Sequence, residues 1–129
     1  MKKIPLLTKT VFYASNIGLI LIYFYPGSVF GWLLYGNLQK QPQLTPDFMI
    51  FSSNHVCAFV ILSLLGVISY KGKKIAILFI YLFFISIVLE FSHALIPERS
   101  FEYSDLFGNF FGVILIFISF NLYKFFKNR

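Results

Sequence analysis

The stretch Glu90-Phe91-Ser92-His93-Ala94-Leu95-Ile96-Pro97-Glu98-Arg99-Ser100-Phe101-Glu102-Tyr103-Ser104-Asp105-Leu106-Phe107-Gly108-Asn109-Phe110-Phe111-Gly112 starts inside one run of apolar residues and ends inside another. An acid, a histidine and an amide fall where a helix in hydrocarbon should carry only apolar side chains. A charge near the middle of a span costs about 3 kcal/mol on insertion scales, so such residues are candidates for function by default. The residues around this stretch read as the means of holding it in a bilayer.

Composition supports that reading. Of 129 residues, 58% are hydrophobic and only 12% charged, with 18 Phe and 8 Tyr. A soluble domain carries about a quarter charged residues, so too few are present here to coat a water-soluble globule. The length suits a single domain, 1–129. The net charge of +6 does not indicate nucleic acid, because the basic residues flank apolar runs instead of lining a polar face. Cys57 stands alone, which excludes an intrachain disulfide. The first apolar run carries bulky aromatics to its end and no small-residue cleavage site, so it is expected to be a retained signal-anchor.

Four apolar runs are present, at about 10–25, 47–70, 75–96 and 106–126. Lipid admits only helices or closed barrels, and these runs lack the short alternation of barrel strands. The expected fold is therefore an all-α membrane protein with four transmembrane helices. Basic residues favour the cytoplasmic side. Lys2, Lys3, Lys9, Lys71, Lys73, Lys74, Lys124, Lys127 and Arg129 fall on one side of such a bundle, and only Lys40 and Arg99 on the other. Both termini are thus expected in the cytoplasm, with Asp47, Glu90, Glu98, Glu102 and Asp105 on or near the outer side. The segment 28–46 joins helices 1 and 2 outside. Its Val29, Phe30, Trp32, Leu33 and Leu34 predict a short interfacial or re-entrant helix.

Helical phase gathers the polar residues. Glu90, His93 and Pro97 share one face of the third helix, with Ser86 a turn below. Asp105, Asn109 and Gly112 share a face of the fourth, where Asp105 suits an N-cap. The short loop between these helices makes them an antiparallel hairpin. His55 lies about eight residues into the second helix, roughly 12 Å deep at 1.5 Å per residue, close to the depth of Glu90. His55, Glu90, His93, Arg99, Asp105 and Asn109 can therefore converge near the outer mouth as ligand-binding residues. Glu90 and His55 are the catalytic candidates if there is a reaction. Each residue also has a structural explanation. Glu90 could pair with His55 or Arg99 to lock the bundle, the histidines could be hydrogen-bonding glue, and Arg99 an interfacial anchor. Gly108 and Gly112 read as a helix-packing seam. No cofactor is expected. A metal held by His55, Glu90 and His93 is a minor alternative, since two imidazoles and a carboxylate are a known zinc set.

The spacing Glu90-x-x-His93, Pro97-x-Arg99, Asp105-x-x-x-Asn109-x-x-Gly112, with His55 and Phe59 upstream, resembles the VanZ-like family over about residues 54–122. The chain departs from that pattern with His93 where the family usually has Gln. It also has Phe51-Ser52 where an Asp-Lys pair is common, and Ile116 where a small residue is common. The resemblance implies a small multi-pass protein of the bacterial cytoplasmic membrane, in a family named for a component linked to teicoplanin resistance. The leading expectation is an outward-facing polar pocket for an anionic or amide-bearing envelope component or antibiotic-related ligand. One alternative is an intramembrane enzyme using Glu/His acid–base chemistry on a lipid-linked precursor. The other is an accessory subunit of an envelope complex. Membrane lipids are expected partners, a homo-oligomer is compatible with the sequence, and nucleic acid is not expected.

Overall fold

The structure, a computed structural model, describes residues 4–129. Lys2 and Lys3, which the charge argument uses, lie outside the described residues. The chain forms α1 (Ile4–Phe24), a short α2 (Val29–Tyr35), α3 (Ser53–Ser69), α4 (Lys74–Ser92) with a 3₁₀ turn at His93–Leu95, and α5 (Tyr103–Lys127). Among the described residues there is no named strand, only an isolated bridge between Phe48 and Phe51. Leu6–Phe24, Lys74–Leu95 and Tyr103–Lys127 are long and apolar enough to cross a membrane. Large apolar side chains on these helices face outward, with Ile80 at 70% and Phe84 at 63% exposed. Such a surface suits a hydrocarbon surround, and the protein is a membrane protein.

The second apolar run yields a shorter helix than its composition suggests. It extends over 47–70 in sequence, but α3 has 17 residues, about 26 Å at the α-helical rise, against a hydrocarbon core of about 30 Å. The first six residues are used differently. Asp47 Oδ1 accepts the backbone N–H of Ser53 at 3.0 Å, and Phe48 and Phe51 exchange backbone hydrogen bonds of 3.1 and 2.8 Å. Met49 turns the chain with φ 52°. A distant carboxylate thus takes a free donor at the helix start, and the helix begins after the turn. The segment 28–46 contains the expected short helix. Ser28 Oγ accepts the N–H of Gly31 at 2.9 Å and caps α2.

α1, α3, α4 and α5 run alternately up and down. Thr8 and Lys9 of α1 meet Ser69, Tyr70, Lys71 and Lys74 at one end. Tyr23, His55, Glu90 and Asn109 meet at the other. α3 packs closely along α5. A Cβ on Gly108 would stand 2.7 Å from the Ser52 carbonyl oxygen, and one on Gly112 2.7 Å from that of Val56. Only glycine allows this approach, which brings the first turn of α5 against the first turn of α3. The core, with Phe59, Leu82, Leu89 and Val113 almost fully buried, lies beneath the polar end and closes it off from the rest of the bundle.

Candidate functional site

Five of the six candidate residues form one cluster at the polar end. Glu90, in the last turn of α4, is fully buried. Its Oε1 accepts the backbone N–H of Glu102 at 3.1 Å, which ties the α4–α5 loop back to α4. Its Oε2 has no hydrogen-bond partner and lies 3.3 Å from His93 Nδ1 and 3.9 Å from His55 Nδ1. His93 is 2% exposed and stacks on Tyr23 with ring centroids 5.2 Å apart. Its Nε2 is buried without a partner.

Asn109, also fully buried, organises the other side. Its Nδ2 donates to the Ser86 carbonyl at 3.1 Å, which turns Oδ1 towards α1 and α3. There Oδ1 accepts the Tyr23 hydroxyl at 2.6 Å and stands 2.9 Å from His55 Nδ1. An acceptor fixed in this way requires a hydrogen on Nδ1. His55 therefore presents Nε2 to the cleft, 3.3 Å from Asp105 Oδ2.

One expectation is corrected. Asp105 is not the N-cap of α5. Glu102 occupies that position, and Asp105 is the third residue of the helix, within its first turn, where its carboxylate faces His55. Glu90 approaches His55 to 3.9 Å without a hydrogen bond, and Asn109 and Tyr23 hold the ring. Arg99, which stands apart from the cluster, is held by backbone carbonyls. Its Nη2 donates to the carbonyls of Ile22 and Gly27 at 3.1 and 2.7 Å, and its Nε to that of Tyr25 at 3.2 Å. These carbonyls lie at and just beyond the C-terminal end of α1, where a cation is favoured. Partial burial draws the guanidinium below its ordinary value, opposed by Tyr23, Glu90 and Asp105, and it stays charged. Nη1 makes no hydrogen bond among the described residues.

Tyr23 is the site residue that the sequence argument missed. It sits seven residues after Asn16, so the two polar groups share one face of α1. That spacing was visible, but an aromatic at the end of a span reads first as an interfacial anchor.

Above the cluster opens a cleft of about 740 Å³ whose lining includes His55, His93, Arg99 and Asp105. Its walls also carry Gln39, Gln41, Gln43, Asn54 and Ser100, with Asp47, Glu98 and Glu102. Amides, hydroxyls and acids thus outnumber the single permanent cation. Such a surface can exchange hydrogen bonds with a polar ligand, and its acidic surplus favours a cationic or neutral group over a polyanion. No family model, curated protein or solved structure matches the chain.

Proposed function

We propose that this is a VanZ-like protein of the bacterial cytoplasmic membrane. Four helices span the bilayer, both termini lie in the cytoplasm, and the cleft opens outward to bind an amide-bearing envelope component. The observation that carries this reading is the convergence of His55, His93, Arg99 and Asp105 on one open cleft, backed by the buried Glu90 and Asn109. The surplus of amides and acids in the walls favours an amide-bearing ligand over a purely anionic one. Arg99 Nη1 offers a single charge-assisted bond to a carboxylate or phosphate on that ligand.

α3 completes the crossing with help from the largely apolar turn at 47–52, which brings the second chain segment to the outer surface. The topology is tested with single cysteines in a Cys57→Ser background. A membrane-impermeant maleimide added to intact cells is expected to label Glu98→Cys and to leave Lys73→Cys unlabelled until the membrane is opened. The reverse pattern would overturn the orientation.

Function is tested by expression in a glycopeptide-sensitive host. The wild-type chain is expected to raise tolerance to teicoplanin, and Arg99→Ala to abolish the gain at unchanged protein level in the membrane. Full tolerance with Arg99→Ala would sink the role given to the cleft cation. The absence of any gain with the wild type would remove the link to glycopeptides.

A further inference from the structure

We propose that His55, Glu90 and Asp105 form a binding site for one divalent transition-metal ion, with His55 Nε2 and the two carboxylates as protein ligands. One ring nitrogen of His55 and one oxygen from each of the two carboxylates lie within 4.8 Å of one another. An ion about 2.1 Å from each of two tetrahedral ligands holds them about 3.4 Å apart. His55 Nε2 and Asp105 Oδ2 stand 3.3 Å apart.

The surroundings decide which ring nitrogen is offered. With Nδ1 donating to Asn109, the Nε2 lone pair points towards the Asp105 carboxylate. A lone pair and a carboxylate oxygen at that distance repel unless a proton or a metal ion lies between them. Glu90 is the second, independent observation. Its Oε2 is fully buried and has no hydrogen bond. One proton on His55 offsets one of the two carboxylates, whereas a divalent ion with a neutral imidazole offsets both. Arg99 is committed to backbone carbonyls and makes no ion pair within 4.0 Å among the described residues.

The outer shell resembles that of a metal site, where a ligating histidine donates its other N–H to an oxygen and ligating carboxylates are hydrogen-bonded in turn. Asn109 does the first for His55. The Glu102 N–H does the second for Glu90, and His93 Nδ1 stands 3.3 Å from the other Glu90 oxygen. One imidazole and two carboxylates suit Zn²⁺, Mn²⁺ or Fe²⁺. His55 and Asp105 face the cleft, so an ion there keeps open positions for water or for a ligand group. The site departs from the expectation of no cofactor, and it recruits Asp105 where the sequence argument put His93. It does not depend on which molecule the cleft binds.

The test uses the full chain, purified through a histidine-free tag into lipid nanodiscs and stripped with a chelator. The probes are Co²⁺ and Zn²⁺ alone. The expected result is one Co²⁺ per chain with visible ligand-field bands, displaced by one Zn²⁺. Asp105→Asn and Glu90→Gln are each expected to weaken binding by more than the roughly 10- to 100-fold typical of losing an outer-shell partner. Asp105 lies in the cleft wall, with a side chain 19% exposed, so melting of the metal-free variant is expected to match the wild type. Binding well below one ion per chain in the wild type would overturn the proposal. So would one-to-one binding of unchanged affinity in both variants. Either result would leave a proton between His55 and Asp105.

Discussion

Glu90→Ala is expected to abolish the action of the cleft and to destabilise the bundle by about 1–3 kcal/mol, the cost of leaving a buried polar group without its partner. The carboxylate joins three parts of the chain. It accepts the Glu102 N–H from the loop, lies against His93 at the end of α4, and approaches His55 on α3. Alanine leaves a buried backbone donor without its acceptor and removes the carboxylate that stands against both imidazole rings. Glu90→Gln is expected to cost much less stability, because an amide oxygen can still accept from Glu102, yet to lose the same activity. Melting of the two variants in detergent, beside their activity in cells, separates these effects. A Glu90→Gln protein with full activity would reduce Glu90 to a structural lock. A Glu90→Ala protein as stable as the wild type would show that the carboxylate carries none of the packing described above.

Asn109→Leu is expected to cost about 2–4 kcal/mol and to free the His55 ring. Leucine keeps the branching of the side chain but is bulkier, so overpacking of a fully buried position adds to the loss of hydrogen bonding. Tyr23 and His55 both lose an acceptor in a buried place, at about 1–3 kcal/mol for each group left unsatisfied. They can still bond to each other across 2.8 Å, which offsets part of that cost. The sharper readout is the tautomer. With Asn109 present, the hydrogen is expected on His55 Nδ1, and nitrogen chemical shifts of labelled histidine report it. A mixture of tautomers, or transfer of the hydrogen to Nε2, is expected in Asn109→Leu. An unchanged tautomer and an unchanged melting temperature together would remove Asn109 from the account.

Much of this cluster could be read from spacing, because its members repeat at helical intervals. Glu90 and His93 are three apart, and Asp105 and Asn109 four apart. Each pair projects from one face, and the short loop turns the two faces towards each other. His55 joined them through a depth estimate, since α3 meets α5 along the Gly108 and Gly112 seam. Periodicity did not carry the features that depend on a single polar atom reaching across the fold. Asp47 capping Ser53 moved the start of α3. The three carbonyls around Arg99 make it a clasp on α1 and leave only Nη1 for the cleft. The Ser86 carbonyl decides which way the Asn109 amide faces, and with it the tautomer of His55. Tyr23 belongs with these, because its hydroxyl gains meaning only once α1 lies against α3 and α5. In a chain so rich in aromatics, one tyrosine with a buried partner has the same local pattern as those at the interface.

The central proposal is an outward cleft that holds an envelope molecule above a buried polar cluster. Native mass spectrometry of the full chain, released from the membranes of cells that express it, addresses that claim most directly. The wild-type protein is expected to retain an amide-bearing envelope molecule that Arg99→Ala and Glu90→Gln fail to retain, while all three keep the same annular phospholipids. Wild type and variants that carry phospholipid alone, in equal measure, would contradict it.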